Sequence, residues 1–257
     1  MIFGVCLQIL PLVFDLELED VWEIRVQITL LLRILKLVVS TSGMATGIIN
    51  TTEGIPWSEI FTLLQCGDAE IKLAVLDLLI VLVETGRLRC VTGELLRVSS
   101  LLSEELGEAR KLKAIDNASS LDLRILCVRF LQECAICDTD FSLYTVEPVV
   151  SKLVHCLSEQ MDNLYRSFNY RERRVVLVEN IVKLLCYAHL NEPHPEMLLT
   201  SAVNHESLLS MTRIAFSEGM VYDNGFDEQT LEGARHILEM CMTMEEADAL
   251  YYSMNPE

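Results

Sequence analysis

Cys134-Ala135-Ile136-Cys137 is the pattern in this 257-residue chain best suited to chemistry, because two thiolates at that spacing can share a metal ion or close a disulfide. Cys127 precedes the pair, and His155-Cys156 follows it. A structural zinc site draws on two such ligand pairs held in loops, and thioredoxin-like chemistry needs a βαβ setting. The chain offers neither a second C-x-x-C nor that setting. Both cysteines fall near the end of an apolar helical pattern, where Cys behaves as a small hydrophobe. Nine cysteines at scattered spacing point to a reducing compartment. His155, His189, His194, His205 and His236 show no i, i+4 pairing with Glu of the kind zinc hydrolases use. The glycines are isolated, so no phosphate loop is expected, and no nucleophile elbow occurs. Neither an enzyme nor a cofactor nor a metal is expected.

The other constellation is basic and aromatic. Arg166, Arg171, Arg173 and Arg174 interleave with Tyr165, Phe168 and Tyr170. Arginine beside aromatics offers large contact area with few rotamers to freeze, as protein hot spots do. The same set could stack bases or hold phosphates. It could equally be an inter-helix turn whose arginines pair with Glu172 and Glu179. Near the C-terminus, Tyr251 and Tyr252 with Met254 either cap a last repeat or dock a partner. Net charge is −18, which argues against direct nucleic-acid binding over the whole surface. From Glu218 onward ten carboxylates face Arg235 alone, a solvated helical face or one that meets a basic partner.

These residues must be positioned by helices. Val21, Ile24, Ile28, Leu31, Leu32, Leu35 and Val39 recur at three- and four-residue steps, with more apolar residues on the flanks. A helix so apolar on more than one face is expected to be sandwiched between neighbours. Further helices are expected at Pro56–Gln65, Ala69–Thr85 (capped by Asp68), Thr92–Leu102, Leu121–Cys137, Val146–Phe168, Arg171–Leu190, Glu196–Val203, Glu206–Ser217, Asp227–Met242 and Met244–Tyr251. Residues 40–56 read as a loop, and 106–120 as a weaker, more polar segment. Helix pairs thus recur every 40 to 50 residues or so, the range of HEAT and armadillo units. The expected fold is all-α, a HEAT/armadillo-like α-solenoid of degenerate repeats forming one domain over 1–257, with a non-repeating bundle as the alternative. No run of about 18 uncharged apolar residues marks a membrane span. The apolar start, Ile2 to Phe14, fits an opening core helix or a chain that is the C-terminal part of something longer.

A resemblance adds to this. Arg173-Arg174-Val175-Val176, Leu184-Leu185, His236-Ile237-Leu238-Glu239 and Met254-Asn255-Pro256 are similar to the C-terminal region of the ATR-interacting-protein family, obligate partners of the checkpoint kinase ATR. Thr200 to Thr230 has no counterpart in that pattern. The resemblance implies a nuclear, non-catalytic subunit in the DNA damage response, its repeats packed against the solenoid of a large kinase. Tyr165, Arg166, Tyr170, Arg171, Arg173, Arg174, Tyr251 and Tyr252 are the expected partner-binding residues. Competing expectations are a cytosolic adaptor for a peptide or cargo, and nucleic-acid binding through Arg166–Arg174. A homo-oligomer stays open for so apolar a chain.

Overall fold

The computed structural model of the chain describes residues 21–41, 57–85, 97–106, 117–137, 143–166, 169–190, 202–216 and 225–254. The named helices are α1 (Val21–Thr41), α2 (Trp57–Thr62, followed by a 3-10 turn Leu63–Gln65), α3 (Ala69–Glu84), α4 (Ala118–Cys137), α5 (Leu143–Arg166), α6 (Arg171–Leu190), α7 (His205–Ala215), α8 (Glu228–Cys241) and α9 (Met244–Met254). Residues 97–106 are helical as well. No strand occurs among the described residues, and no helix among them is long and apolar enough to cross a membrane.

Several helices begin where side chains satisfy the free backbone donors of a first turn. Asp68 accepts from the Glu70 and Ile71 amides at 2.8 and 3.0 Å, as its place in the sequence predicts. Asn117, read from sequence as part of a weak segment, caps α4 through the Ser120 amide at 2.7 Å. Asn204 and Ser207 form a reciprocal capping box on α7. Asp227 caps α8 through the Thr230 amide and hydroxyl at 2.8 and 2.6 Å. Thr243 and Glu246 exchange hydrogen bonds at the start of α9.

The helices stack in two rows. One runs α1–α3–α4–α6–α8, each packed on the next. The other runs α5–α7–α9, and Lys152 of α5 bonds the Ser103 carbonyl at 3.3 Å, which brings residues 97–106 alongside it. The rows are joined where α5 meets α6, α7 meets α8 and α8 meets α9. This is an all-α solenoid of helical repeats. Its register is visible in the polar ties between successive layers: Lys183–Asp227, Arg129–Glu84, Asp227–Glu179, Arg173–Asp122 and Arg213–Asp162 all join residues 44 to 51 positions apart. That spacing agrees with the repeat length read from the sequence.

Burial follows the rows. In α3 the buried residues run nearly unbroken from Ala74 to Val83, so the helix is covered all round. Leu123, Cys127, Phe130 and Leu131 of α4 and Leu177, Val178, Ile181 and Leu184 of α6 are likewise buried. Phe61 and Phe130 meet edge to face with centroids 6.3 Å apart, which ties the 3-10 segment's neighbourhood to α4. Each such Leu, Val or Phe contributes about 1.5–3 kcal/mol by leaving water.

Some expectations shift. α1 is not sandwiched by the described residues: Ile28, Leu32, Leu35 and Val39 are buried against α3, but Val26, Leu30, Ile34 and Leu37 on the opposite face are exposed. The helix expected at Thr92–Leu102 continues through Leu106. α4 begins at Ala118 because Asn117 caps it, α5 begins before Val146, and α9 runs on to Met254. The expected start of the 92–102 helix, the loop over 42–56, most of the 106–120 segment, Ile2–Phe14 and the helix at 196–201 lie outside the described residues.

Candidate functional site

The expected basic cluster sits at the turn from α5 to α6, and the fold sends its members in different directions. Tyr170 adopts a positive φ of 56°, a left-handed conformation that side chains other than Gly, Asn and Asp rarely take. It turns the chain from the outer row into the inner one. Arg174, one turn into α6, is only 6 % exposed. Its guanidinium donates to Gln160 Oε1 at 2.5 Å and to the Asn169 carbonyl at 3.2 Å. It therefore clamps the turn from inside, and its place is structural. Removing it would take a charge-assisted hydrogen bond from the buried Gln160 amide, at a cost of about 1–3 kcal/mol.

Arg173 faces the layer before it. Its Nε lies 2.7 Å from Asp122 Oδ1 of α4, and that carboxylate holds the guanidinium more firmly protonated than usual. Arg171 is half-buried and Tyr170 is exposed. Arg166 is 78 % exposed at the end of α5, with Asp162 a loose partner at 3.8 Å. The residues that look contiguous in sequence are thus divided between an inter-layer tie, an internal clamp and an exposed end. That division weakens the reading of the segment as one nucleic-acid patch.

The exposed end connects to something the sequence reading missed. Arg213 of α7 lies over the Tyr165 ring, 5.2 Å from its centroid, a cation–π contact. Its Nη1 also meets Asp162 Oδ1 at 3.2 Å. Three residues on, and so on the neighbouring turn, Phe216 stacks on Tyr251 of α9 with centroids 5.1 Å apart and planes at 30°. Tyr251 in turn meets Tyr252 edge to face at 5.8 Å. Tyr165, Arg213, Phe216, Tyr251 and Tyr252 form a ladder along the outer row that crosses α5, α7 and α9. Tyr165 and Tyr252 are 47 % and 69 % exposed at its ends. A cleft of about 500 Å³ beside it is lined by His155, Glu159, Asp162, Arg166, Glu206 and Arg213. The ladder brings together three of the expected residues, Tyr165, Tyr251 and Tyr252, and the cleft beside it holds a fourth, Arg166. The structure adds Arg213 and Phe216 to the ladder and Asp162 beside it, and for the Asp162–Arg213 pair the signal was the repeat spacing of 51 residues.

Of the C-x-x-C pair, Cys134 is described and the Cys137 side chain lies outside the described residues. Cys127 and Cys134 are buried, and burial pushes the Cys127 thiol far above its ordinary range. Burial likewise pushes the Cys186 thiol up to about 12. Among the described residues no group of three or more His, Cys, Asp or Glu is placed to hold a metal ion.

Two family descriptions match the chain. The description Rad26-like, helical repeats matches residues 92–188, a span that holds α4, α5 and nearly all of α6. The description Rad26-like, C-terminal domain matches residues 200–254, which hold α7, α8 and α9. The second match takes in Thr200 to Thr230, the stretch for which the sequence offered no counterpart. No curated protein and no solved structure matches the chain. With the two spans together covering more than half of its length, the chain belongs to the Rad26-like family, that of the ATR-interacting protein, the partner of an ATR-type checkpoint kinase.

Proposed function

We propose that this chain is a non-catalytic binding subunit in the nucleus, where its outer helical row docks an ATR-type checkpoint kinase in the response to damaged DNA. The observation that carries the proposal is the ladder from Tyr165 to Tyr252. It is built of arginine and aromatics, it is exposed at both ends, and the helices that carry it lie within the family's two matched spans. The mechanism is surface complementarity. Stacked HEAT/armadillo-type helices hold Tyr165, Arg166 and Tyr252 at fixed positions, so little side-chain freedom is lost on docking. Exposed acidic residues on α8 and α9, Glu239, Glu245 and Asp248 among them, favour a partner that is basic where it meets these helices.

Capture of the tagged chain from nuclear and cytosolic extracts, with partner stoichiometry by mass spectrometry, tests this. A near one-to-one kinase partner is expected. Tyr165→Ala with Arg166→Glu and Tyr252→Ala should reduce its capture by about tenfold or more while helix content stays unchanged. Full retention by that triple variant would remove the ladder from the account. Substoichiometric cytosolic cargo in place of the kinase would favour an adaptor of the same fold.

A further inference from the structure

We infer that a second site, near the other end of the described stack, binds a phosphorylated side chain of a protein partner. The site is a cleft of about 440 Å³ between the 3-10 turn after α2, α3 and the helix at 97–106. That volume lies within the range of sites that take small ligands. Phe61, Leu64 and Leu101 give it apolar lining, and four polar donors line it as well: Gln65, Lys72, Arg97 and Ser100.

The charges there are in an unusual state. The chain carries 38 carboxylates against 20 lysines and arginines, so a cation has acids to spare. Nearly every described Lys or Arg has used one, or has bonded a carbonyl, hydroxyl or amide oxygen. Lys36 holds Asp77, Arg129 holds Glu84, Arg173 holds Asp122 and Arg213 holds Asp162. Among the described residues only Arg33, Lys72 and Arg97 have neither an ion pair nor a side-chain hydrogen bond, and Lys72 and Arg97 line this one cleft.

Arg97 and Ser100 are three apart on their helix and so share a face, while Lys72 comes from α3 and Gln65 from the 3-10 turn. A phosphate monoester carries a charge of about −1.5 to −2 and three strong acceptor oxygens. It would satisfy both cations, the hydroxyl and the amide. A carboxylate, with one charge and two oxygens, would leave a cation uncompensated. Glu104, two turns beyond Arg97, also lines the cleft. It repels an anion from that end, which confines the phosphate to the Lys72–Arg97 end and leaves Glu104 to a basic residue flanking the phosphorylated one.

The test is fluorescence anisotropy of the full chain with labelled peptide pools: a fixed phosphoserine in degenerate flanks, the same pool with serine, and the same pool with aspartate. Saturable binding of the phosphoserine pool alone is expected. Lys72→Met and Arg97→Met should each weaken it roughly tenfold, because each removes one charge-assisted contact. Glu104→Gln should tighten it. Both methionines keep the aliphatic stem, and unchanged melting curves will verify that the variants fold. Equal binding of the serine pool, or undiminished binding by the Lys72→Met/Arg97→Met double variant, overturns the inference. So does an aspartate pool that binds as tightly as the phosphorylated one. Competition by inorganic phosphate at the peptide's own concentration would assign a free-anion site and overturn the partner assignment. None of these variants touches the Tyr165–Tyr252 ladder, so either proposal can fail alone.

Discussion

Gly233→Ala probes the closest approach between α6 and α8. A Cβ at position 233 would lie 2.9 Å from Cys186 Sγ and 3.0 Å from Val182 Cγ1. Ordinary contact begins at 3.4 Å, so the sulfur must yield by 0.5 Å (3.4 against 2.9). The thiol cannot simply swing away, since it donates to the Gly233 carbonyl at 3.4 Å. Overpacking of this kind costs about 1–3 kcal/mol. Alanine in place of glycine inside a helix returns about 1 kcal/mol. The net expectation is a destabilisation near 1 kcal/mol. Cys186→Ala alone opens a small void and costs about 1 kcal/mol. In the double variant the new methyl occupies that void, so the pair should be more stable than the sum of the single losses by about 1–2 kcal/mol. Urea unfolding of the four proteins, followed by far-ultraviolet circular dichroism, measures the cycle. Additivity within about 0.5 kcal/mol would refute the reasoning. So would a Gly233→Ala variant that simply gains the helix-propensity increment.

Asp227 both caps α8 and pairs with Lys183, and two substitutions separate the roles. Asp227→Asn keeps a capping acceptor and should cost about 0.5–1 kcal/mol, while Asp227→Ala loses both and should cost about 2 kcal/mol in urea unfolding. Burial pushes the Asp227 carboxyl up, but hydrogen bonds from Lys183 and Thr230 outweigh it and hold the group below its usual range. Its contribution is therefore present above the unfolded value of about 3.9 and lost as pH falls through the lower folded value, so wild type and Asp227→Asn should converge at low pH. Glu179 behaves oppositely, because burial raises it above the ordinary carboxylate range. Its ionisation opposes folding above about pH 4.3, so Glu179→Gln should melt higher than wild type at neutral pH, with the gap closing in acid. Tyr170→Asn should raise stability by about 0.5 kcal/mol, since Asn tolerates the left-handed turn better, and a lower melting temperature would count against strain there.

The helices themselves were legible because their apolar spacing and caps are local. Asp68 and Asp227 announce their helices by residue type and place. What covers each helix was not legible. Val21–Val39 reads as apolar as any inner helix, yet Val26, Leu30 and Leu37 are exposed, whereas Val178 and Leu185 of α6 are buried. The difference lies in which neighbours arrive, and those are a repeat away. The arginines at 166–174 misled for a related reason. A single left-handed residue sends Arg166 to the outer row and Arg174 to the interior. One clue was available: Arg174 precedes Leu177, Val178 and Ile181 at helical spacing, on the buried stripe of α6. The contact of Arg213 with Tyr165 had no local signal at all, since only the stacking of α7 on α5 brings them together.

The two rows have a mechanical consequence. Layers touch mainly their neighbours, and single ion pairs at the surface, such as Arg129–Glu84 and Arg173–Asp122, stitch the seams. Each stitch is worth about 0–1 kcal/mol, whereas the apolar filling between layers is continuous. Such a stack bends cheaply and slides at great cost, as a leaf spring does. A partner that grips the Tyr165–Tyr252 ladder at one end while a second ligand occupies the Lys72–Arg97 cleft would load that spring, and the spacing between the two grips would be stored as curvature along every seam between them.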